Sequence, residues 1–257
     1  RDNFDFVETT VGEPGDSELL VKNLWMSVDP AMRPRMIDRK SYVTPYEIEK
    51  VLEGRAIGVV VRSNNSNFEV GDYVFGNNGW RQYYLSAGEG LSKIEPGDAP
   101  LEAYLGALGM TGLTAYAGLL RIGEIKAGDT VFVSAAAGAV GSIACQIAKN
   151  KGCRVVASAG SDEKVAWLKE VARVDGAFNY KTVSDIKAEI AHLCPEGIDV
   201  NFENVGGDHF EGALAQMNEF GRIVLCGLIS TYNDAEPEPG PRGMFIAIMR
   251  RLKIQGY

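Results

Sequence analysis

Thr130-Val-Phe-Val-Ser-Ala-Ala-Ala-Gly-Ala-Val-Gly141 decides the fold: a short apolar run enters a glycine-containing turn and leaves it as an apolar helix, with no charge near the turn. Val131 to Ser134 hardly alternate, which predicts a strand buried on both faces, as in a parallel sheet. Val140, Ile143, Ala144, Ile147 and Ala148 then recur at helical spacing. A helix starting at such a turn directs unpaired N–H groups and the positive end of its dipole outward, where a pyrophosphate can sit. The three-glycine dinucleotide fingerprint falls on Ala136, Gly138 and Gly141, so its first glycine is alanine. Gly138 lets backbone approach phosphate, and Gly141 lets the helix pack close to the strand. Taken alone, the motif also reads as a plain strand-turn-helix with small residues for packing.

Arg154-Val-Val-Ala-Ser158 reads as the next strand, ending about 20 residues after the turn, where a dinucleotide site places its ribose contact. An NAD site wants a carboxylate there. This chain offers Ser158-Ala-Gly-Ser161, with Lys164 a turn later. Hydroxyl groups and an ammonium suit a 2′-phosphate that a carboxylate would repel, so the preference is NADPH. Asp162 and Glu163 fit the first turn of a helix capped by Ser161, where acids are favourable. Lys164 also reads as a solvated helix lysine.

With 257 residues, 46% hydrophobic and 23% charged, the chain can bury one large core or two ordinary ones. A net charge of −8 argues against nucleic acid, whose backbone needs a concentrated basic field. The densest basic stretch, Arg33, Arg35, Arg39 and Lys40, reads as a solvated or substrate-facing segment. Cys145, Cys153, Cys194 and Cys226 lack metal-like spacing and read as buried free thiols of a reducing, cytoplasmic compartment. No apolar run reaches the roughly 18 residues of a membrane span, and no signal-peptide core opens the chain. Arg1 at the start and Gly256-Tyr257 on a strand pattern at the end suggest that both ends are incomplete.

Residues 1–100 are rich in glycine and proline between short apolar runs. Glu18 to Val28, Ala56 to Val61 and Asp72 to Phe75 read as strands, suggesting a compact β-barrel domain. Pro96-Gly-Asp-Ala-Pro100 is the best linker. In 101–257, helix-like spacing over Ala103 to Leu120 precedes a regular alternation. Strands are expected at Thr130–Ser134, Arg154–Ser158, Ala177–Asn179, Asp199–Glu203 and Gly221–Cys226. Helices are expected at Val140–Lys149, Asp162–Val171, Ser184–Leu193 and Asp208–Met217. This is an α/β, doubly wound parallel sheet of Rossmann type. Ligands gather at the carboxyl ends of such strands, which selects Asn204-Val-Gly-Gly207 and Cys226-Gly-Leu-Ile-Ser-Thr-Tyr232 as binding loops. The Gly206-Gly207 pair also fits ordinary turn chemistry. Glu236-Pro-Glu-Pro-Gly-Pro241 reads as an extended exposed loop.

Several motifs stand in register: Val28-Asp-Pro-Ala-Met-Arg33, Gly109-Met-Thr-Gly-Leu-Thr-Ala-Tyr116, Ala135-Ala-Ala-Gly-Ala-Val-Gly141, Ala159-Gly-Ser-Asp-Glu-Lys164, Phe178-Asn-Tyr-Lys181, Asn204-Val-Gly-Gly207 and Cys226 to Asn233. Over essentially the whole chain they resemble the zinc-independent medium-chain dehydrogenase/reductase family, in its prostaglandin reductase, leukotriene B4 dehydrogenase and curcumin reductase group. The resemblance implies a GroES-like β-barrel substrate domain, 1–100, before an NADPH-binding Rossmann domain, 101–257. It implies that Gly138, Ala139, Val140 and Gly141 contact the pyrophosphate and that Lys164 and Tyr180 hold the 2′-phosphate. Asn204 and the run Cys226, Gly227, Leu228, Ile229, Ser230, Thr231 and Tyr232 would line the rest of the cofactor path, with Met110 and Thr114 near the nicotinamide. It also implies a homodimer, for which the edge around Lys253 to Tyr257 offers an interface.

Zinc-using members of the wider superfamily carry Gly-His-Glu where this chain reads Gly54-Arg55-Ala56. The two histidines, His192 and His209, fall in the second half and read as surface or helix-end residues, so no metal site is expected. Without a Lewis acid, reducing a carbon–carbon double bond conjugated to a carbonyl asks less than alcohol oxidation. Hydride goes to the β carbon of an α,β-unsaturated ketone or aldehyde, and a hydrogen-bond donor must meet the enolate oxygen. The resemblance points to Tyr232 as a hydroxyl near the ribose and to Tyr42 as a substrate-facing donor. Tyr42 also reads as a core-edge tyrosine. Ala31 stands where family members often have tyrosine. Arg33 either steers a polar or anionic substrate group or makes a structural ion pair. A quinone reductase and a non-enzymatic NADPH-binding protein are the competing functions.

Overall fold

A computed structural model describes residues 3–38, 43–234 and 239–257. The chain divides into two compact units, Arg1–Leu105 and Gly106–Tyr257.

The first unit is an antiparallel sheet of β1 (Leu19–Met26), β2 (Ala56–Ser63), β3 (Tyr73–Gly76), β4 (Tyr83–Ser86) and β5 (Ser92–Ile94), in the order β4-β1-β2-β3-β5. The strands β4 and β5, of four and three residues, are too short for their alternation to stand out in the sequence. Alternate residues of β1 point inward, so Leu19 and Val21 meet Val60, Phe68, Val74 and Tyr84 in one apolar cluster. Burial there pushes the Tyr84 phenol up to about 12. Arg35 donates to the Thr44 carbonyl at 2.9 Å and to Glu53 at 3.0 Å, and its guanidinium lies 4.1 Å from the Tyr46 ring centre.

The second unit holds six parallel strands: β6 (Thr130–Val133), β7 (Arg154–Ala159), β8 (Gly176–Asn179), β9 (Ile198–Glu203), β10 (Met217–Leu225) and β11 (Lys253–Gly256). Their order is β11-β10-β9-β6-β7-β8. Successive side chains of β6 serve opposite faces. Val131 and Val133 pack with Ala144, Ala148 and Leu168 from α2 (Ala139–Asn150) and α3 (Asp162–Glu170), while Phe132 packs with Ile190, Phe210 and Leu214 from α4 (Ile186–Leu193) and α5 (Gly207–Ala215). A strand covered on both faces has no polar side to alternate with, which is why its sequence reads as a continuous apolar run.

Several boundaries differ from the sequence reading. Helical spacing over Ala103 to Leu120 resolves into a 3₁₀ turn at Leu101–Tyr104, helix α1 (Met110–Ala117) and a π turn at Gly118–Ile122. Helix α4 begins at Ile186 rather than Ser184 because the Asp185 carboxylate accepts from the Ala188 N–H at 3.0 Å and caps it. Helix α5 ends at Ala215, and Met217 opens β10 instead of closing the helix. That strand starts four residues before the expected Gly221 and carries a register shift between Met217 and Arg222, where Phe220 has a left-handed φ of 59°. The short helix α6 (Phe245–Met249) leads into β11 at the sheet edge. Among the described residues, no helix is long and apolar enough to cross a membrane.

Candidate functional site

Strand order reverses between β6 and β9, and the loops leaving these two strands lie side by side within the second unit. The tight turn after β6 is carried by Ala135, whose φ is 48°, and not by Ala136 at the missing fingerprint glycine. A left-handed alanine costs about 1 kcal/mol more than glycine would. Ala136 is instead buried and donates its N–H to the Ser158 carbonyl at 2.9 Å, tying the turn to β7. Gly141 is required by close approach: a Cβ there would lie 2.5 Å from the Ala135 carbonyl oxygen and 2.8 Å from the Ala136 Cα. No side chain caps α2 at Gly138, and the N–H groups of Ala139, Val140 and Gly141 find no acceptor among the described residues. Three donors and the positive end of a twelve-residue helix thus converge beside the strand reversal, a cradle suited to a phosphate.

Beyond β7, Ser161 caps α3 by accepting from the Lys164 N–H at 3.3 Å. Asp162 accepts from the Asn179 side-chain amide at 2.8 Å, so one of the two acids in that turn is engaged with β8. Lys164 is exposed and lines a cleft of about 310 Å³ with Ala137, Ser142, Glu163 and Trp167, which brings it to the turn and first helical residues after β6. The Tyr180 ring lies against Gly160: a Cβ at that glycine would be 2.9 Å from the Tyr180 hydroxyl. Lys164 and Tyr180 therefore flank the same Gly160-Ser161 turn. Tyr180 opens onto a separate cleft of about 600 Å³, lined also by Asp185, Lys187, Asp208 and Arg242.

The loops after β9 and β10 are laced together. Ile229 N–H donates to the Asn204 carbonyl at 3.0 Å, and Ser230 donates to the Val205 carbonyl from its N–H at 2.9 Å and from its hydroxyl at 2.6 Å. Cys226 and Gly227 both donate N–H to the Glu203 carbonyl, at 2.9 and 3.1 Å. Ile229–Thr231 form a 3₁₀ turn, with the Thr231 hydroxyl donating to the Leu228 carbonyl at 2.9 Å. The half-buried Tyr232 folds back so that a Cβ on Gly227 would be 3.3 Å from its hydroxyl. Tyr257 donates to the Thr114 carbonyl at 2.8 Å and also reaches the Cys226 thiol, which links α1 to this loop. Met110 is exposed at the start of α1.

In the first unit, Arg33 is half-buried between the 3₁₀ turns Pro30–Met32 and Pro34–Met36, while Tyr42 lies outside the described residues. Arg55 pairs with Asp29 at 3.5 Å, and Ser27 also donates to Asp29 at 2.9 Å. One expectation is corrected in part: His209 stands at the helix end, in the first turn of α5, but it is 4% exposed rather than on the surface, its ring perpendicular to that of Tyr180 at 5.1 Å between centres. Burial lowers its pKa, against the opposing pull of Glu203 and Asp208. The first turn of α5 faces the sheet here, so a helix-end position does not bring exposure. Burial also raises the thiols, Cys145 to about 12 and Cys194 to about 11.

The sequence reading passed over Ser134 and Glu203. Both are fully buried, and the Ser134 hydroxyl donates to Glu203 at 2.8 Å while accepting the Asn204 N–H at 2.8 Å. The available signal was a carboxylate ending the otherwise buried strand Ile198-Asp-Val-Asn-Phe-Glu203.

Residues 1–94 match the family model described as the N-terminal domain of oxidoreductase, and residues 139–257 match that described as zinc-binding dehydrogenase. The chain is 42% identical to the NADPH-dependent curcumin reductase of Escherichia coli, over 100% of this chain and 75% of the relative. It is 46% identical to bovine (Bos taurus) prostaglandin reductase 1, over 99% of this chain and 77% of the relative. The chain belongs to the medium-chain dehydrogenase/reductase family. A solved member, CurA of Vibrio vulnificus in complex with NADPH, superposes with a TM-score of 0.92 at 40% identity, covering 100% of this chain and 77% of that one. The residues of this medium-chain dehydrogenase/reductase do not fit the zinc in the second family description. Among the described residues no three His, Cys, Asp or Glu side chains gather to hold a metal ion. Arg55, which has no lone pair to offer, is engaged with Asp29.

Proposed function

We propose that the chain is an NADPH-dependent reductase of the carbon–carbon double bond in α,β-unsaturated ketones and aldehydes. The observation that carries this reading is the uncapped N-terminus of α2 at the strand reversal, with Lys164 and Tyr180 grouped around the neighbouring Gly160-Ser161 turn. The N–H groups of Ala139, Val140 and Gly141, with Gly138 open beside them, bind the pyrophosphate. Lys164 and the Tyr180 hydroxyl take the 2′-phosphate. Asn204 and the loop Cys226–Tyr232 line the path toward the nicotinamide, beside Met110 and Thr114. Likeness to a curcumin reductase and a prostaglandin reductase supports an enone as the substrate class.

Bound NADPH supplies the hydride. The chain's part is to orient substrate, exclude water and place a hydrogen-bond donor at the carbonyl oxygen, where negative charge develops. Tyr232 serves near the ribose and Tyr42 as the substrate-facing donor, with Arg33 steering polar substrate groups. We assign the protein to the cytoplasm, in keeping with its free cysteines, and to a homodimer formed through the exposed edge of β11.

Loss of reduced-nicotinamide absorbance with a panel of enones, enals and quinones tests the reaction class. Turnover of enones and enals well above quinones is expected. Preference for quinones would assign a quinone reductase, and tight NADPH binding without turnover of any acceptor would assign a non-enzymatic role. Tyr42→Phe is expected to lower the hydride-transfer rate in stopped flow while leaving NADPH affinity unchanged. Equal losses in both would remove Tyr42 from the chemical step.

A further inference from the structure

We infer that Glu203 is the positioning residue that holds the nicotinamide side of the cofactor crevice in shape, an inference that rests on the NADPH reading above. Its side chain is fully buried at the end of β9; no ion pair ties it to a basic residue among the described residues, and the buried His209 is near enough to feel its charge. One carboxylate oxygen accepts three hydrogen bonds: from the Ser134 hydroxyl at 2.8 Å, the Val205 N–H at 2.7 Å and the Gly206 N–H at 2.9 Å. The other accepts from the Asn201 side-chain amide at 3.1 Å.

These partners span both loops at the strand reversal. Ser134 ends the run that leads into the phosphate turn, and Val205 and Gly206 form the loop after β9. The Asn204 side chain then donates to the Ser134 carbonyl at 2.7 Å, closing the link between them. Gly206 is held at φ 86°, and a Cβ on it would lie 3.0 Å from the Ser230 hydroxyl, so the same bonds also set how close the β10 loop approaches. A buried carboxylate is costly unless its lone pairs are filled. Here backbone N–H groups and a hydroxyl fill them, and in return the carboxylate fixes the backbone of two loops. An apolar side chain at this point would leave the Ser134 hydroxyl and the Val205 and Gly206 N–H groups without their acceptor.

Asn201 makes a fine-grained variant available. Its side-chain oxygen is buried without a partner. In Glu203→Gln the new amide can face that oxygen after an Asn201 flip, while the glutamine carbonyl accepts from the loops more weakly than a carboxylate. The variant is therefore expected to fold but to hold the loops less firmly.

Calorimetric titration of the 257-residue chain and of the variant, with NADPH and with 2′,5′-ADP, tests the assignment. The second ligand carries the adenosine half and lacks the nicotinamide ribose. Glu203→Gln is expected to weaken NADPH about tenfold while leaving 2′,5′-ADP within about twofold. Ser134→Ala, which removes only the bridging hydroxyl, is expected to show the same selective loss at about fivefold, and it serves if Glu203→Gln does not fold. Equal weakening of both ligands, or none of either, would overturn the positioning role. A wild-type chain that binds neither ligand would instead overturn the cofactor reading beneath it.

Discussion

Beside β7 and β8 the candidate crevice is built from exposed or half-exposed groups, Lys164 and Tyr180 around a capped helix turn. Beside β9 and β10 it is built from fully buried ones, Ser134 and Glu203, which bond to each other, to the Asn201 amide and to the backbone N–H groups of Asn204, Val205 and Gly206. On the proposed reading the first flank would recognise by charge in contact with water, so its strength would depend on residue type and on salt. The second shapes by satisfying buried polar groups, so its strength depends on geometry and on every partner being present. Between them stands Gly141, whose close approach to Ala135 and Ala136 packs α2 against the turn after β6.

Gly141→Val gives the largest expected effect. Its side chain would enter the space held by the Ala135 carbonyl and the Ala136 Cα, with overpacking worth about 3 kcal/mol. A fall in Tm together with loss of measurable NADPH binding is expected; retention of wild-type affinity would show that the turn does not form the cradle. Lys164→Ala is expected next, with NADPH affinity down about tenfold or more, the worth of one charge-assisted hydrogen bond, and NADH affinity unchanged. Raising the salt concentration would shrink the wild-type preference for NADPH toward that of the variant. A salt-independent preference would place the discrimination on the buried flank instead.

The smallest effect concerns His209. Burial holds its folded pKa below the ordinary imidazole value of about 6.5. Below about pH 6.5 the unfolded chain therefore takes up a proton that the folded chain does not, so stability falls with falling pH in that window. His209→Gln removes that titration, and its Tm is expected to vary less than wild type between about pH 7 and pH 5. Identical pH slopes would show that other groups govern the acid limb.

The doubly wound sheet was legible because parallel strands covered on both faces leave continuous apolar runs, and their helices keep an apolar stripe. The turn after β6 was legible in outline. The fingerprint placed the missing glycine at Ala136, yet the left-handed backbone falls on Ala135, since dihedral angles follow from how the turn bonds to β7 rather than from residue type. The Ser161 cap of α3 was legible because serine declares its capping chemistry by type. The buried flank was not: a glutamate at a strand end reads as solvated, and only the two adjacent loops folding over Glu203 make it a hub. The burial of His209 escaped for the same reason: its helix-end place is as read, but the Tyr180 ring packs against it.

The central claim is that a nucleotide pyrophosphate docks on the N-terminus of α2. A crystal structure of the chain grown with NADPH tests it directly. The account predicts pyrophosphate oxygens within about 3 Å of the Val140 and Gly141 nitrogens and a 2′-phosphate between Lys164 and Tyr180. An ordered NADPH bound elsewhere, with that helix terminus facing only solvent, would contradict it.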